Sequence, residues 1–410
     1  MADTLLTPTE INRRALKVFH NNLTFVKNCN RDYDDRFANS GASVSGKIGP
    51  TLQIRRPVQF TVRTGNVAAI QDTVETKIDL TVSTLKGIDW DFSEDDLALT
   101  IDEFEARYLQ PAMARLSSQI DLDCLAMYQQ VWNQVGTPGT VPSAVLTYLG
   151  AAQKLDENCA PRDGNRHVVV NPAAMAATVD ARKGLFQSSS DIADQYETGL
   201  MGMADGFKYW MDQNIRVHTV GTKAGTPTVN GASQGATSGW TSTSTVVTAG
   251  WTASSAILKK GDVLTLAGSN AVNPETKQDL GYLQQFVVTA DISADGGGAA
   301  SIVVSPAIIT GGAYQTVTAS PTNGGTVTVT GTGGTAYAQS LAFHRDAFTF
   351  VTADLELPKG MDMAARNVKD NISLRFIRGY DILNNRRISR FDVLYGFVAQ
   401  RPEWAVRLTA

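Results

Sequence analysis

The side chains best suited to acid–base or metal chemistry near neutral pH are four histidines: His20, His167, His218 and His344. They fall in four separate predicted elements, and none has the H-x-x-x-H spacing that puts two imidazoles on one face of a helix. A packed or surface histidine is the simpler interpretation of each. The sequence therefore predicts no histidine-based catalytic or metal site and no cofactor.

Carboxylate pairs and glycine-rich turns give no stronger signal. Asp89-Trp90-Asp91 ends a predicted strand, and Asp121-Leu122-Asp123 lies on a predicted helix, where a solvated face explains it. The glycine run at 331–334 lacks the helix and lysine that follow a phosphate-binding loop. The acidic turn at 291–298 has too few correctly spaced oxygen ligands for calcium. We therefore expect a protein that is not an enzyme.

The composition is that of an ordinary globular protein. The chain has 410 residues, enough for two or three domains with hydrophobic cores, and a formal net charge of −4. Such a mild charge gives no overall attraction to nucleic acid. No apolar run approaches the roughly 18 residues that cross a membrane, so we expect no membrane association. The three cysteines, at positions 29, 124 and 159, are predicted to be reduced, buried thiols of a cytosolic protein.

The N-terminal residues predict an amphipathic helix. Thr7-Pro8-Thr9-Glu10 supplies a hydroxyl N-cap, a proline at the first helical position and a glutamate that can reach back to the cap. Apolar residues then recur at helical spacing, and three basic residues lie on the opposite side: Arg13, Arg14 and Lys17. A polar stretch rich in Asn, Ser and Gly follows at 28–49. The helix is expected to pack on its own domain or to reach a neighbouring subunit.

A long two-stranded ribbon is predicted from Thr51 to Lys86. Apolar residues alternate with polar ones on both sides of a tip formed by Gly65-Asn66 and Gln71-Asp72. A ribbon of this length has too little core to be stable alone in water, so it needs a partner surface. Charged side chains on its arms indicate that this surface is polar.

The longest predicted element is a helix that starts near residues 93–103 and ends before Gly136. Its apolar residues recur every three or four positions, and about 35 residues at ~1.5 Å each give a length of roughly 50 Å. This exceeds the diameter of a small domain, so we expect a spine helix. Pro111 is expected to kink it.

A change of composition marks the second half of the chain. Residues 142–222 resemble compact α/β material, with a predicted helix at 143–158 and a buried strand at 167–170. Between Arg216 and Arg345 there is no arginine, and Thr, Gly, Ser and Val dominate. Short strand candidates separated by Gly, Asn and Pro there predict a small barrel or sandwich. Because the earlier composition resumes after Ala338, this window is interpreted as an insertion whose flanking strands meet in space.

The order of these elements resembles the Hong Kong 97 (HK97-like) fold of tailed-phage major capsid proteins. Leu394-Tyr395-Gly396 followed by Arg401-Pro402-Glu403 resembles the ending of P22-like coat proteins, and so do Val170-Asn171-Pro172 and the run at 202–207. That group carries an extra β-barrel domain in the later half of the chain, where the arginine-free window lies. The resemblance therefore implies an α+β, HK97-like capsid fold with an inserted all-β, barrel-like domain.

The resemblance also implies a division of the chain into five parts. These are an N-terminal arm at 1–38; an E-loop ribbon with its flanks at 39–86; a P domain with the spine helix at 87–136, plus strands at about 192–222 and 340–384; an A domain at 137–191, plus about 385–410; and the inserted β domain at 223–339.

The implied function is that of a major capsid protein that self-assembles, as hexamers and pentamers, into the icosahedral shell of a tailed phage around double-stranded DNA. The implied location is the virion capsid, after assembly in the host bacterial cytoplasm. Scaffolding protein and portal are the implied partners. Lys47 and Lys77 flank the ribbon, but we expect no autocatalytic crosslink because P22-like coats are held noncovalently.

Two sets of charged residues are candidates for contacts in such a shell. The basic residues of the ribbon are expected to meet carboxylates at the start of a neighbouring subunit's spine helix, and the candidates are Arg55, Arg56, Arg63, Glu94, Asp95, Asp96, Asp102 and Glu103. Complementary charges of this kind set register more than affinity. Arg13, Arg14 and Lys17 are candidates for nonspecific contacts with DNA phosphates. Simple solvation is the alternative interpretation of both sets.

The competing functional class is a phage fibre or adhesin-type structural protein, because Thr/Gly/Ser/Val-rich β modules are common there. A central spine helix and the absence of sequence repeats count against it. A phage-encoded hydrolase ranks third, since no catalytic set is found.

Overall fold

The structure, a computed structural model, describes residues 8–33, 50–63, 65–68, 70–71, 74–92, 105–182, 201–381 and 386–409. The α-helices in this part of the chain are α1 (Pro8–Asn22), α2 (Gln110–Leu125), α3 (Val145–Glu157) and α4 (Pro172–Arg182). Short 3-10 turns lie at Val26–Asn28, Ala126–Gln130, Arg345–Ala347 and Pro402–Trp404.

Strands make up most of the remaining regular structure. In chain order they are β1 (Thr51–Arg55), β2 (Lys77–Phe92), β3 (Gln134–Val135), β4 (Arg166–Val170), β5 (Met203–Ala204), β6 (Phe207–Met211), β7 (Val217–Thr219), β8 (Gly225–Val229), β9 (Ser244–Trp251), β10 (Ala256–Leu258), β11 (Val263–Val272), β12 (Asp279–Val288), β13 (Ile292–Ser293), β14 (Ala300–Ser305), β15 (Val327–Val329), β16 (Ala336–His344), β17 (Phe348–Ala353), β18 (Met363–Lys369), β19 (Ile372–Asp381), β20 (Arg386–Ala399) and β21 (Ala405–Thr409).

One compact unit combines described residues from Met1–Ile54, Asp79–Leu125 and Phe348–Val398. Its sheet has the strand order β1-β2-β20-β19-β18, and β17 also pairs with β20. Helix α1 packs on β18 and on α2, and Asn12 on its buried face donates to the carbonyls of Ala365 (3.2 Å) and Leu374 (2.9 Å). The predicted amphipathic N-terminal helix is thereby confirmed.

The predicted ribbon is a pair of strands only near its base. Strands β1 and β2 are neighbours, but β1 ends at Arg55 and β2 begins at Lys77. The alternating residues 58–62 adopt no regular structure. The ladder ends there because a two-stranded ribbon that covers no core gains too little from backbone pairing alone.

The described part of the spine helix ends earlier than predicted. The described chain is helical from Glu105 to Gln130, and residues 105–109, before the proline at position 111, are π-helical. Residues 93–104 lie outside the described part. The helix ends before Val131 because Asn133 donates to the carbonyls of Glu403 (3.1 Å) and Ala405 (3.2 Å), and the next two residues form β3 beside β21.

A second compact unit combines described residues from Arg55–Ile78, Ala126–Ala347 and Ala399–Ala410. One of its sheets has the order β3-β21-β16-β4-β6-β5, and β7 also pairs with β16. Helices α3 and α4 cover this sheet through a core that includes Tyr148, Leu155, Met175 and Val168. The helix predicted at 143–158 and the strand predicted at 167–170 are confirmed.

The arginine-free window contributes a separate six-stranded sheet to the same unit. Its order is β15-β11-β12-β14-β9-β8, and a small pair, β10 with β13, lies beside it. Buried Val246, Leu264, Phe286 and Ile302 belong to its core. The flanking strands meet as predicted, since β7 and β16 pair with Thr219 opposite Ala336. We refer to residues 225–329 as the inserted sheet region.

Two strands pair with partners remote in sequence. Strand β6 pairs in parallel with β4. Strand β20 pairs with β2 and β19. Alternation within one strand does not specify such a partner.

Candidate assembly surface

The loop between β1 and β2 carries a cluster of exposed apolar side chains. Their exposed fractions are 62% for Phe60, 99% for Val62, 85% for Val67 and 99% for Ile70. Large apolar side chains exposed on one short loop are suited to burial against a partner. We call the described residues of 56–76 the 56–76 loop and these four side chains its apolar cluster.

The base of the 56–76 loop is fixed to its own unit. The Arg56 guanidinium donates to the Glu403 carboxylate, and both side chains are about three-quarters buried, with exposed fractions of 23% and 22%. The Arg56 amide donates to the Thr76 carbonyl (2.9 Å). Farther out, the Gln71 side chain accepts from the Thr61 amide (2.8 Å) and donates to the Thr61 carbonyl (2.6 Å). These bonds tie the two sides of the loop together without a strand ladder.

The other two basic interface candidates are more exposed. Arg55 lies 3.4 Å from the Glu75 carboxylate in a pair that is more than half exposed on both sides. Arg63 donates to the backbone carbonyls of Gly65 and Val67, which shapes the tip of the loop. The acidic candidates Glu94, Asp95, Asp96, Asp102 and Glu103 lie outside the described residues. The structure thus assigns an intrachain partner to each candidate arginine, most firmly to Arg56.

The basic candidates of the N-terminal helix lie on its outer side. Arg13 and Arg14 both approach Glu10, at 3.8 and 3.5 Å, in pairs typical of neighbouring helical turns. Lys17 is exposed. The face opposite them packs into the first unit, and Glu10 offsets part of their positive charge.

The histidines each have a structural environment. His20 lies 2.9 Å from Asp370, His218 lies 2.8 Å from Asp262, and His344 lies 3.1 Å from Asp163. His167 accepts a hydrogen bond from the Trp210 indole (3.1 Å), and burial lowers its pKa to about 4. Within the described ranges no three His, Cys, Asp or Glu side chains are grouped closely enough to hold a metal ion. No helix described is long and apolar enough to cross a membrane.

Sequence reasoning missed several buried charges. Asp392 is fully buried and accepts from Arg375 (2.7 Å) on the neighbouring strand β19 and from Arg390 (2.6 Å) on its own strand β20. Arg407 is buried in β21. One signal was available, since Arg407 stands between Val406 and Leu408 in a short apolar strand, where an arginine needs a buried partner.

The described residues combine α-helices with several separate β-sheets, which makes the fold α+β. The sequence model of one protein family, described as P22 coat protein - gene protein 5, matches residues 13–409. The chain belongs to the P22 coat protein family. It is a major capsid protein that forms a phage shell.

Several solved structures from phages match this chain at low identity. Mycobacterium phage Che8 matches with a TM-score of 0.46 and 14% identity over 94% of this chain and 90% of that chain. The bacteriophage PhiM1 mature capsid matches with a TM-score of 0.41 and 12% identity over 92% and 86%. The CUS-3 coat protein I-domain matches at 23% identity with a TM-score of 0.20 over 26% of this chain and 96% of that domain. Because these TM-scores are below 0.5, the assignment rests on the family match. No curated protein matches the sequence.

Proposed function

We propose that the 56–76 loop lies over an adjacent copy of the chain in the shell and buries its apolar cluster there. The observation that supports this proposal is the exposure of Val62 and Ile70, each 99% open to water in the single chain. Burying such a side chain contributes about 1.5–3 kcal/mol. Every subunit of a shell makes this contact. A modest free energy of burial at each loop is therefore enough to stabilise a closed particle.

Charges on the same loop set the register of that contact. Arg55 and Arg63 remain candidates for the carboxylates that precede the spine helix of a neighbouring copy, at 94–103. Their exposure leaves them able to exchange an intrachain partner for an intersubunit one at little cost. Arg56 acts differently, because its partly buried pair with Glu403 holds the base of the loop.

The finer architecture follows the HK97-like arrangement. In this proposal residues 1–38 form the N-terminal arm, 39–86 the E-loop and its flanks, and 223–339 the inserted, barrel-like domain. Residues 87–136 provide the P domain and 137–191 the A domain. The separate hydrophobic core of the inserted sheet region supports its assignment as a module of its own.

The proposed shell encloses double-stranded DNA and assembles in the host cytoplasm with a scaffolding protein and a portal. The exposed side chains of Arg13 and Lys17, with the half-buried Arg14 between them, support a nonspecific contact between α1 and DNA phosphates. Such a contact needs no sequence-specific geometry and weakens as salt concentration rises.

Assembly of the double variant Val62→Ser/Ile70→Ser tests the proposal. Both side chains are exposed in the single chain, so the unassembled subunit should keep its melting temperature while the yield of closed particles falls at least tenfold. Val62→Ile/Ile70→Leu is the matched control, because it keeps the apolar surface and should assemble normally. Normal particle yield from the serine variant would refute the proposal.

A further inference from the structure

A small cavity lies inside the second unit, where the inserted sheet region meets the sheet that contains β21 and β16. Its volume is about 10 Å³, and its polar lining includes Arg407, Gln339, Asp262, His218 and Gln134. This is about the space that one water molecule requires. The hydrogen bonds that the lining side chains already make decide which molecule the cavity can bind.

Arg407 is a buried cation whose guanidinium carries five N–H donors. Its side chain is 1% exposed and donates from Nη1 to the Gly261 carbonyl (2.6 Å), while the Tyr128 ring centroid lies 5.2 Å from Cζ. Among the described residues, its Nε and Nη2 have no hydrogen-bond partner. Burial lowers the pKa of Arg407 to about 9, which reflects the cost of holding this charge away from water. A guanidinium in such a place needs an acceptor.

The nearby carboxylate of Asp262 does not fill this need. It accepts from the imidazole of His218 at Nε2 (2.8 Å) and from the backbone amides of Lys259 (2.8 Å) and Gly221 (3.0 Å). The hydroxyl of Tyr128 lies 3.1 Å from the other imidazole nitrogen of His218. The carboxylate is therefore already occupied by three donors on other elements.

Gln339 supplies the missing counterpart. Its side-chain amide donates to the Tyr337 carbonyl (3.3 Å), but its buried Oε1 has no hydrogen-bond partner in the part of the chain that the structure describes. In the antiparallel pair of β16 and β21, Gln339 is opposite Thr409 and Arg407 is opposite Leu341. Gln339 and Arg407 are thus diagonal neighbours on one face of the sheet, a spacing of roughly 7–8 Å between backbones that one small molecule can bridge.

We propose that a single water molecule binds in this cavity, accepting from the guanidinium of Arg407 and donating to Oε1 of Gln339. A halide ion fits less well, because it cannot donate to Gln339 and would face the carboxylate of Asp262. The water hydrates the guanidinium of Arg407, which donates to the Gly261 carbonyl. It therefore contributes to the contact between the inserted sheet region and the C-terminal strand β21.

An experimental map of the assembled shell, at a resolution that shows ordered waters, tests the site directly. We expect a peak within hydrogen-bond distance of both Arg407 and Gln339. A direct hydrogen bond between the two side chains, or cavity space without density, would overturn the proposal. Particles prepared in bromide should show no ion at this position. A bromide peak would show that the cavity binds an anion and not water, and it would overturn the proposal.

A double-mutant cycle tests the bridge in the unassembled full-length subunit. Arg407→Met and Gln339→Leu should show a coupling of about threefold or more in the unfolding equilibrium constant, because each removes one end of the same water bridge. The control pair is Arg407→Met with Ser340→Ala, whose buried hydroxyl lies outside the cavity lining. That pair should be additive. Additive effects for Gln339 as well would contradict a shared water.

Discussion

Reversing the charge of Arg56 should loosen the 56–76 loop in the single subunit. Arg56 and Glu403 are each about three-quarters buried, so the pair is worth about 2 kcal/mol, or a roughly 30-fold change in the local opening equilibrium. Hydrogen–deuterium exchange of the peptide covering residues 50–80, in unassembled Arg56→Glu, should accelerate by that factor. The double swap Arg56→Glu/Glu403→Arg should restore most of the protection.

The neighbouring arginine provides a matched control for this prediction. Arg55 pairs with Glu75 in an exposed position, so Arg55→Glu should change exchange by less than about threefold. If Arg56→Glu leaves hydrogen exchange unchanged and impairs only assembly, Arg56 pairs with a neighbouring subunit. The proposal that its pair with Glu403 holds the loop would then be wrong. Failure of the double swap to restore protection would also refute the reasoning.

Three further predictions concern the sheets and the particle. Gly87→Ala should lower the melting temperature by about 3–10 °C, because the new Cβ would lie 2.6 Å from a carboxylate oxygen of Asp392. Gly296→Ala is the control, since its Cβ meets no atom within 4 Å and the melting temperature should not change. Equal melting temperatures for the two variants would contradict this prediction. Because burial lowers the pKa of His167 from 6.5 to about 4, the unfolded chain binds the extra proton first, so the contribution of His167 to stability should be constant above pH 6.5 and fall between pH 6.5 and 4. His167→Gln should flatten that slope in acid titrations of the unfolding free energy, and an unchanged slope would assign it to other groups. Particles boiled in detergent should migrate as single chains, and covalent ladders would show that Lys77 or another lysine forms a crosslink.

Local pattern was enough to predict the helices and most core strands. Helix α3 has the spacing of Tyr148, Ala151 and Leu155, which identifies both the helix and its buried face. Strand β18 was missed because Met363–Lys369 contains a central arginine and asparagine and no clear alternation. This segment is a strand because seven of its residues pair with β19. Such pairing depends on both strands and cannot be predicted from one.

The candidate site was predicted less completely than the fold. The basic residues of the loop could be selected from charge alone, but the partner of Arg56 lies 347 positions away in the chain. The apolar residues Phe60 and Val62 were interpreted as one face of a strand, since alternation is the same whether the face is covered or exposed. Burial is a tertiary property, so the exposed cluster became visible only in the structure.

A reconstruction of assembled particles tests the central claim most directly. The account predicts closed shells in which the side chains of Val62 and Ile70 pack against an adjacent copy of the chain, with Arg56 still bound to its own Glu403. Closed shells in which both apolar side chains remain in solvent would contradict the proposed role of the 56–76 loop.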